Sequence, residues 1–180
     1  MKPFHLASAG VLVAFVLFSP AAAYAATSFN DSTCPNVTPL GQHLNDLVDT
    51  SKTLSDELVG AAQAMVDGYR TCKRGYDDNT YNNRAGGTGT SVTDGNVVGR
   101  LYARLALARS LQRIGIYAVD GKKYADARTA FSDAMKNLDE MSTIDVGSLA
   151  FSDSTEHRLL TEGRELENKI RIFVDGIPAQ

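Results

Sequence analysis

The chain has few of the residues on which metal and nucleic-acid binding usually depend. It contains no tryptophan, two cysteines and three histidines among its 180 residues. A metal site built from His43 and His157 would need acidic partners on an adjacent helix, so we expect surface histidines and no metal or cofactor. The 18 Lys and Arg and 21 Asp and Glu give a net charge of −3. Because nucleic-acid binding needs a basic surface, we expect no nucleic-acid partner.

Long hydrophobic runs are also scarce, and the one that exists lies at the start of the chain. Lys2 precedes an apolar run from residue 6 to residue 18, and Ala23-Tyr24-Ala25 fits the A-x-A cleavage rule. The run is shorter than the ~20 residues that cross a bilayer. We therefore expect residues 1–25 to be a cleaved signal peptide of bacterial type, and the protein to be periplasmic or secreted without a membrane span.

The two cysteines, Cys34 and Cys72, follow this signal into an oxidising compartment, where a disulfide between them is expected. A single helix from Leu40 to Cys72 would be about 48 Å long. The six residues before Leu40 reach about 20 Å, whereas disulfide-bonded Cα atoms lie within about 7 Å. An intramolecular bond therefore requires a hairpin, with a break near residues 49–53 and Thr53 as the cap of the second helix, whereas an unbroken helix would exclude the bond.

Apolar residues recur at helical spacing through most of the mature chain, and no segment alternates with period two, so the sequence predicts an all-α bundle of four to five helices. Residues 26–39 are interpreted as an extended N-terminal arm and residues 40–180 as one helical domain. Later helices are expected over 97–119, capped by Asp94 or Asn96, over 123–141, and over 154–174, capped by Asp153. Gly121 is expected to supply the left-handed turn between the first two of these. Residues 77–96, rich in Asn, Asp and Gly, are predicted to form a mobile loop.

One stretch, residues 108–141, resembles a tetratricopeptide repeat, a 34-residue helix–turn–helix. Ile114-Gly115 is similar to the Leu-Gly pair of the repeat, and Ala127, Phe131 and Ala134 are similar to its A-x3-F-x2-A core. Ala118 and Asp139 depart from the expected tyrosine and proline. The resemblance implies an antiparallel hairpin with Phe131 between the helices beside Gly115, and no second copy of the repeat is found.

Charged residues are concentrated on two of the predicted helices. The helix over 97–119 carries Arg100, Arg104, Arg109 and Arg113, which can pair with Asp120 or Asp126 or recognise a partner's carboxylates. The last helix has eight charged residues from Glu156 to Arg171, including the favourable i,i+4 pairs Glu165–Lys169 and Glu167–Arg171, and is expected to form a solvated outer face.

No catalytic motif occurs in the sequence, so we expect a non-enzymatic protein. The first functional hypothesis is an interaction module that binds a protein or peptide through a groove on the repeat-like hairpin. Its candidate contact residues are Tyr81, Arg84, Arg109, Arg113, Tyr117 and Lys123. The alternative is a carrier of a small apolar ligand, with a pocket left by small core residues (Ala61, Ala62, Ala103, Ala106 and Ala108).

Overall fold

A computed structural model describes residue 29 and residues 34–70, 95–146 and 154–178. These residues form a 3-10 turn, Pro35–Val37, and five α-helices, namely α1 (Thr38–Thr50), α2 (Asp56–Arg70), α3 (Gly95–Asp120), α4 (Tyr124–Ser142) and α5 (Thr155–Asp175). No strand occurs in these ranges, which confirms the predicted all-α bundle. None of the helices among the described residues is long and apolar enough to span a membrane. The predicted signal peptide and most of the predicted 77–96 loop lie outside the described residues.

The first two helices form the hairpin that the cysteine distances favoured. The chain is non-helical over residues 51–55 and α2 packs against α1. The predicted cap at Thr53 is wrong, because the Ser55 hydroxyl accepts the Leu58 amide hydrogen at 3.2 Å. Ser55 immediately precedes the helix and therefore satisfies an amide that has no partner within the first turn.

The helical part of the chain starts earlier than the predicted arm allows. Residues 35–37 form the 3-10 turn and Pro39 lies in the first turn of α1, where its missing amide hydrogen costs no helical hydrogen bond. The Asn36 side-chain amide donates to the Gly68 carbonyl oxygen at 3.4 Å, which joins the 3-10 turn to the end of α2. Cys34 is fully buried at this place and is not a free thiol. Cys72 lies outside the described residues.

The turn between α3 and α4 has a left-handed residue one position later than predicted. Lys122, with φ of 58°, adopts that conformation, and Gly121 does not. The Lys123 amide donates to the Ala118 carbonyl at 2.8 Å and the Lys122 amide to the Val119 carbonyl at 2.9 Å. These two bonds define a Schellman motif, in which the residue at the left-handed position is usually glycine.

Neighbouring helices along the chain run antiparallel and approach closely at glycines. A Cβ atom added at Gly99 of α3 would lie 3.0 Å from the Val66 Cα atom near the end of α2. A Cβ atom at Gly163 of α5 would lie 3.1 Å from the Met141 sulfur near the end of α4. Consecutive helices therefore run in opposite directions, and the α1–α2 turn, the α3–α4 turn and the end of α5 lie at the same end of the bundle.

The core fills the space between these helices. Its largest fully buried side chains include those of Tyr69, Phe131, Leu44, Leu58, Met65 and Leu101. The α3–α4 pair contributes the contact that the sequence predicted, because a Cβ atom at Gly115 would lie 2.6 Å from the Phe131 ring. Ala127 and Ala134 are fully buried on either side of that ring.

Helix α5 begins at a cap that the sequence analysis missed by one residue. The Ser154 hydroxyl accepts the His157 amide hydrogen at 3.0 Å, whereas the predicted cap, Asp153, lies outside the described residues. Glu156 was expected on a solvated face, but it is 1% exposed. Its position in the first helical turn places a carboxylate next to the positive end of the helix dipole. The predicted stop is confirmed, because the helix ends at Asp175, before Gly176.

Candidate functional site

Polar side chains form a band along one face of α3. Helices α1 and α5 lie on either side of this band. Tyr102, Arg109 and Arg113 fall within about 40° of arc on that face, at 3.6 residues per turn. The polar band consists of these three residues and four neighbours, Asn45 and Asp49 of α1 with Arg158 and Glu162 of α5. It joins three helices through polar contacts.

The two arginines that α3 contributes to the polar band have carboxylate partners within the chain. The Arg109 Nη2 atom lies 2.6 Å from Glu162 Oε2, and Arg158 Nη1 lies 2.5 Å from the other oxygen of that carboxylate. Arg113 Nη1 lies 3.2 Å from Asp49 Oδ1, while its Nη2 donates to the Asp49 backbone carbonyl at 2.5 Å. The side chains of both arginines are about one third exposed, at 39% and 32%. These contacts hold α1 and α5 against α3.

The prediction that the α3 arginines pair with Asp120 or Asp126 is wrong for the three arginines whose ion pairs the structure records. Arg104 projects to α4, where it lies 2.6 Å from Glu140 and donates to the Asn137 side chain at 3.1 Å. The carboxylates that the α3 arginines use are distant in sequence, because they belong to the helices that pack against α3. On α5, the predicted Glu167–Arg171 pair is confirmed at 2.6 Å.

Tyr102 is the buried member of the polar band. Its ring is 7% exposed, its hydroxyl donates to Asn45 Oδ1 at 2.5 Å, and the Phe29 ring meets it edge-on with centroids 4.9 Å apart. Burial raises the pKa of Tyr102 to about 12, against an ordinary value of 10.0, although the Asn45 hydrogen bond and the charges of Arg109 and Arg158 oppose the change. The phenol therefore stays protonated at neutral pH and serves as a hydrogen-bond donor.

The structure does not gather the predicted contact residues into one site. Arg109 and Arg113 belong to the polar band, whereas Tyr117, which is 43% exposed, lies in the last turn of α3 and Lys123 is exposed in the turn that follows. Tyr81 and Arg84 lie outside the described residues.

The exposed large hydrophobic residues form a second candidate surface. In the described part of the chain they are Leu54, Val59, Tyr117, Ile172, Phe173 and Val174. All six lie in the α1–α2 turn, the first turn of α2, the last turn of α3 or the last turn of α5, at the same end of the bundle. We call this set the apolar end. Exposed apolar residues that cluster in this way mark interaction surfaces more often than scattered ones do.

Ile172, the most exposed member of the apolar end at 74%, belongs to a sequence signal that was missed. Residues 172–174 are three consecutive large apolar side chains in the last turn of a helix. At about 100° per residue they point in different directions and cannot all face the core. Phe173 uses part of its ring to stack on Phe131, with centroids 6.0 Å apart. The side chains of Ile172 and Val174 remain exposed to solvent.

The carrier hypothesis needs an enclosed apolar pocket. One open depression on the surface has a volume of about 540 Å³ and lies along α5. It is lined by polar residues only, namely Ser154, Thr155, His157, Arg158, Thr161, Glu162 and Glu165. The five alanines proposed to leave space are themselves part of the buried core. Within the described residues no group of His, Cys, Asp and Glu is arranged to hold a metal ion.

Comparisons with known proteins give no family for this chain. No family model, curated protein sequence or solved structure matches it. The tetratricopeptide-like character of the α3–α4 hairpin remains a resemblance, based on the residues named above.

Proposed function

We propose that the protein is an exported, non-enzymatic helical module that binds another protein or peptide at the apolar end. The observation that supports this most is Ile172, a large aliphatic side chain that is 74% exposed on a regular helix. Burying such a side chain fully against a partner is worth about 1.5–3 kcal/mol. Phe173 and Val174 beside it add further apolar area to the same contact.

On the repeat-like α3–α4 hairpin, the proposed contact surface is the turn between the two helices and not the face that carries Arg109 and Arg113. Arg109 and Arg113 already pair with Glu162 and Asp49, so a partner's carboxylate would have to displace a carboxylate of the same chain. Tyr117 and Lys123 flank the turn at the apolar end and are exposed. Tyr117 adds a residue type that is enriched at protein interfaces, and Lys123 adds a positive charge at the edge of the proposed surface.

A disulfide between Cys34 and Cys72 is part of the proposal. Cys34 is buried beside the end of α2, where the 3-10 turn contacts Gly68. This is where the hairpin geometry requires Cys34 to be if it is to pair with a cysteine two residues after Arg70. Peptide mapping of non-reduced, exported protein is expected to find the linked pair, and two alkylatable thiols would contradict it.

Export itself is proposed from the sequence pattern of residues 1–25. N-terminal sequencing of the protein recovered outside the cytoplasm is expected to start at Ala26. A chain that keeps its first 25 residues, or that stays in the cytoplasm, would contradict this part of the proposal.

Site-specific photo-crosslinking tests the contact surface. A photoreactive amino acid at position 172 is expected to give a covalent adduct with a different protein in the exported fraction. The same amino acid at Lys136, an exposed residue of α4 about three turns from the apolar end, is the matched control and is expected to give none.

The variant Ile172→Glu separates the surface from the fold. Because the side chain is already mostly solvated, we expect an unchanged melting temperature and at least a tenfold loss of the adduct formed from a photoreactive group at Val174. Equal adducts at positions 172 and 136, or an adduct composed of two copies of this chain, would contradict the proposal.

A further inference from the structure

Phe29 occupies a shaped socket on the surface of the bundle. Its ring meets Tyr102 of α3 edge-on, and an added Cβ atom at Gly41 of α1 would overlap the same ring. The socket is defined here as the space bounded by Gly41 and Tyr102 that the Phe29 ring fills. It accepts an aromatic ring because position 41 lacks a side chain.

The residue that fills this socket comes from outside the helices. Phe29 precedes the 3-10 turn by six positions and packs against the core only partly buried. Because a short N-terminal segment attaches Phe29 to the bundle, the effective concentration of its side chain at the socket is in the millimolar range. A longer ligand that makes additional contacts can compete with a single side chain at that concentration. The socket is therefore filled by a replaceable group.

The rim of the socket offers those additional contacts. The Tyr102 hydroxyl and Asn45 lie on one side, and the charges of Arg109, Arg158 and Glu162 are close enough to act on the Tyr102 phenol. With Arg113 and Asp49 included, the polar band contains three arginines and two carboxylates. Because these arginines keep their partners within the chain, the remaining net charge of +1 acts as a field on an approaching ligand, and it favours a ligand with a carboxylate near its aromatic side chain without displacing those pairs.

We infer that the socket is a peptide-binding site occupied by the chain's own Phe29, and that an extended segment of another protein binds there by replacing Phe29 with its own aromatic side chain. The preferred segment has an acidic residue within a few positions of the aromatic one, as this chain has in Phe29-Asn30-Asp31. Phe29 then acts as an autoinhibitory anchor. The site is separate from the apolar end.

The test uses the mature chain with Phe29→Ala and a synthetic peptide of residues 26–33, ATSFNDST. We expect the peptide to bind this variant at least tenfold more tightly than it binds the unaltered chain, because the unaltered chain competes with its own Phe29. NMR chemical shifts of the amides around Gly41 and Tyr102 measure binding at peptide concentrations up to several millimolar. A peptide with alanine in place of Phe29 is expected to cause no shifts.

Two glycine variants in the Phe29→Ala chain show whether the peptide enters the socket. Gly41→Ala is expected to abolish binding, because its methyl group takes the place of the ring. Gly60→Ala, also in a helix but with nothing within 4 Å of the added methyl, is expected to leave binding unchanged. Neither alanine meets a ring in this background, so both variants are expected to fold, as circular dichroism checks.

A spectroscopic signature accompanies binding. With Phe29 removed, the alkaline titration of Tyr102 is expected to move from about 12 toward its ordinary value of 10.0, and the peptide is expected to restore it. No shifts at any peptide concentration, equal binding to both chains, or equal binding to the Gly41→Ala and Gly60→Ala variants would each overturn the inference. None of these outcomes would contradict the proposed binding at the apolar end, because the crosslinking at position 172 probes a different surface.

Discussion

The two sides of α3 make different kinds of contact. Toward α4, the helix presents Gly115 to the fully buried Phe131 ring, with Ala127 and Ala134 on either side of it. We call this apolar contact the seam. Toward α1 and α5, the same helix presents the residues of the polar band, and the side chains of Arg109 and Arg113 there are about one third exposed.

This difference assigns separate roles to the two sides. Apolar burial in the seam involves no charges for salt to screen and contributes to stability in proportion to the area removed from water. The polar band depends on hydrogen bonds and partly solvated charges, which contribute less and respond to pH and ionic strength. We therefore expect the seam to hold the bundle together and the polar band to orient α1 and α5.

The largest expected effect is the loss of the Phe131 ring from the seam. Phe131→Ala leaves a cavity in the core and is expected to lower the free energy of unfolding by about 3–5 kcal/mol. Phe173→Ala, which removes the partly exposed ring stacked on it, is the control and is expected to cost about 1 kcal/mol. Urea denaturation measures both, and equal losses would show that the seam does not dominate.

Tyr102 makes the stability contributed by the polar band depend on pH, whereas the apolar seam has no titrating group. Because its pKa is raised to about 12 in the folded protein, the folded state holds the phenol proton more tightly than the unfolded state does. The resulting stabilisation, of about 3 kcal/mol, is complete below pH 10 and is lost as the pH rises from 10 to 12.

In Tyr102→Phe this alkaline dependence is expected to be absent, as unfolding measured at pH 9, 10 and 11 would show. Tyr117→Phe, at an exposed position, is expected to keep the dependence of the unaltered protein. A dependence unchanged by Tyr102→Phe would mean that burial of this phenol is not its cause.

Adding a methyl group to the seam, instead of removing the Phe131 ring, tests how tightly the seam is packed. A methyl group at Gly115 would lie 2.6 Å from the Phe131 ring, so Gly115→Ala is expected to destabilise the protein by about 1–3 kcal/mol. Gly60→Ala meets nothing within 4 Å and is expected to stabilise it by about 0.5–1 kcal/mol, because alanine is the better helix former. Thermal unfolding compares the two, and a shift of the same sign in both would refute the close approach.

The smallest expected effect concerns the ion pairs of the polar band. A double-mutant cycle of Arg113→Met with Asp49→Asn is expected to give a coupling of about 0.5–1 kcal/mol that decreases at high salt. The same cycle on the exposed Arg171–Glu167 pair is expected to give no measurable coupling. A coupling in the polar band that exceeds the cost of Phe131→Ala would reverse the roles assigned to the two sides of α3.

The sequence predicted the features that depend on local periodicity or on simple distances. Helical spacing predicted the helices, the span between the cysteines favoured a hairpin before Arg70, and alternating small and large residues predicted the contact of Gly115 with Phe131. These inferences need only the geometry of one helix or one hairpin. They were confirmed because the core of a small bundle is built from such units.

Features decided by competition between neighbouring residues were predicted less well. Thr53 and Ser55 can both cap a helix, and only the packing of α2 against α1 decides which one does. The same holds for Lys122, which takes the left-handed conformation although Gly121 is next to it.

Contacts between distant residues were not predicted at all. The arginine partners Asp49, Glu140 and Glu162 come from three other helices, and the Phe29 socket joins residues 29, 41 and 102. No local pattern records such pairings, because they arise when the helices assemble.

Arg128 of α4 donates to the backbone carbonyls of Ile177 and Pro178, at 3.3 Å and 2.7 Å. The chain leaves the bundle from a point anchored only a few residues after Ile172. An affinity tag or fluorescent protein fused behind Gln180 would therefore emerge next to Ile172, Phe173 and Val174 and shield them. Purification handles placed there would cover the proposed contact surface, so an untagged chain is the better starting material for testing it.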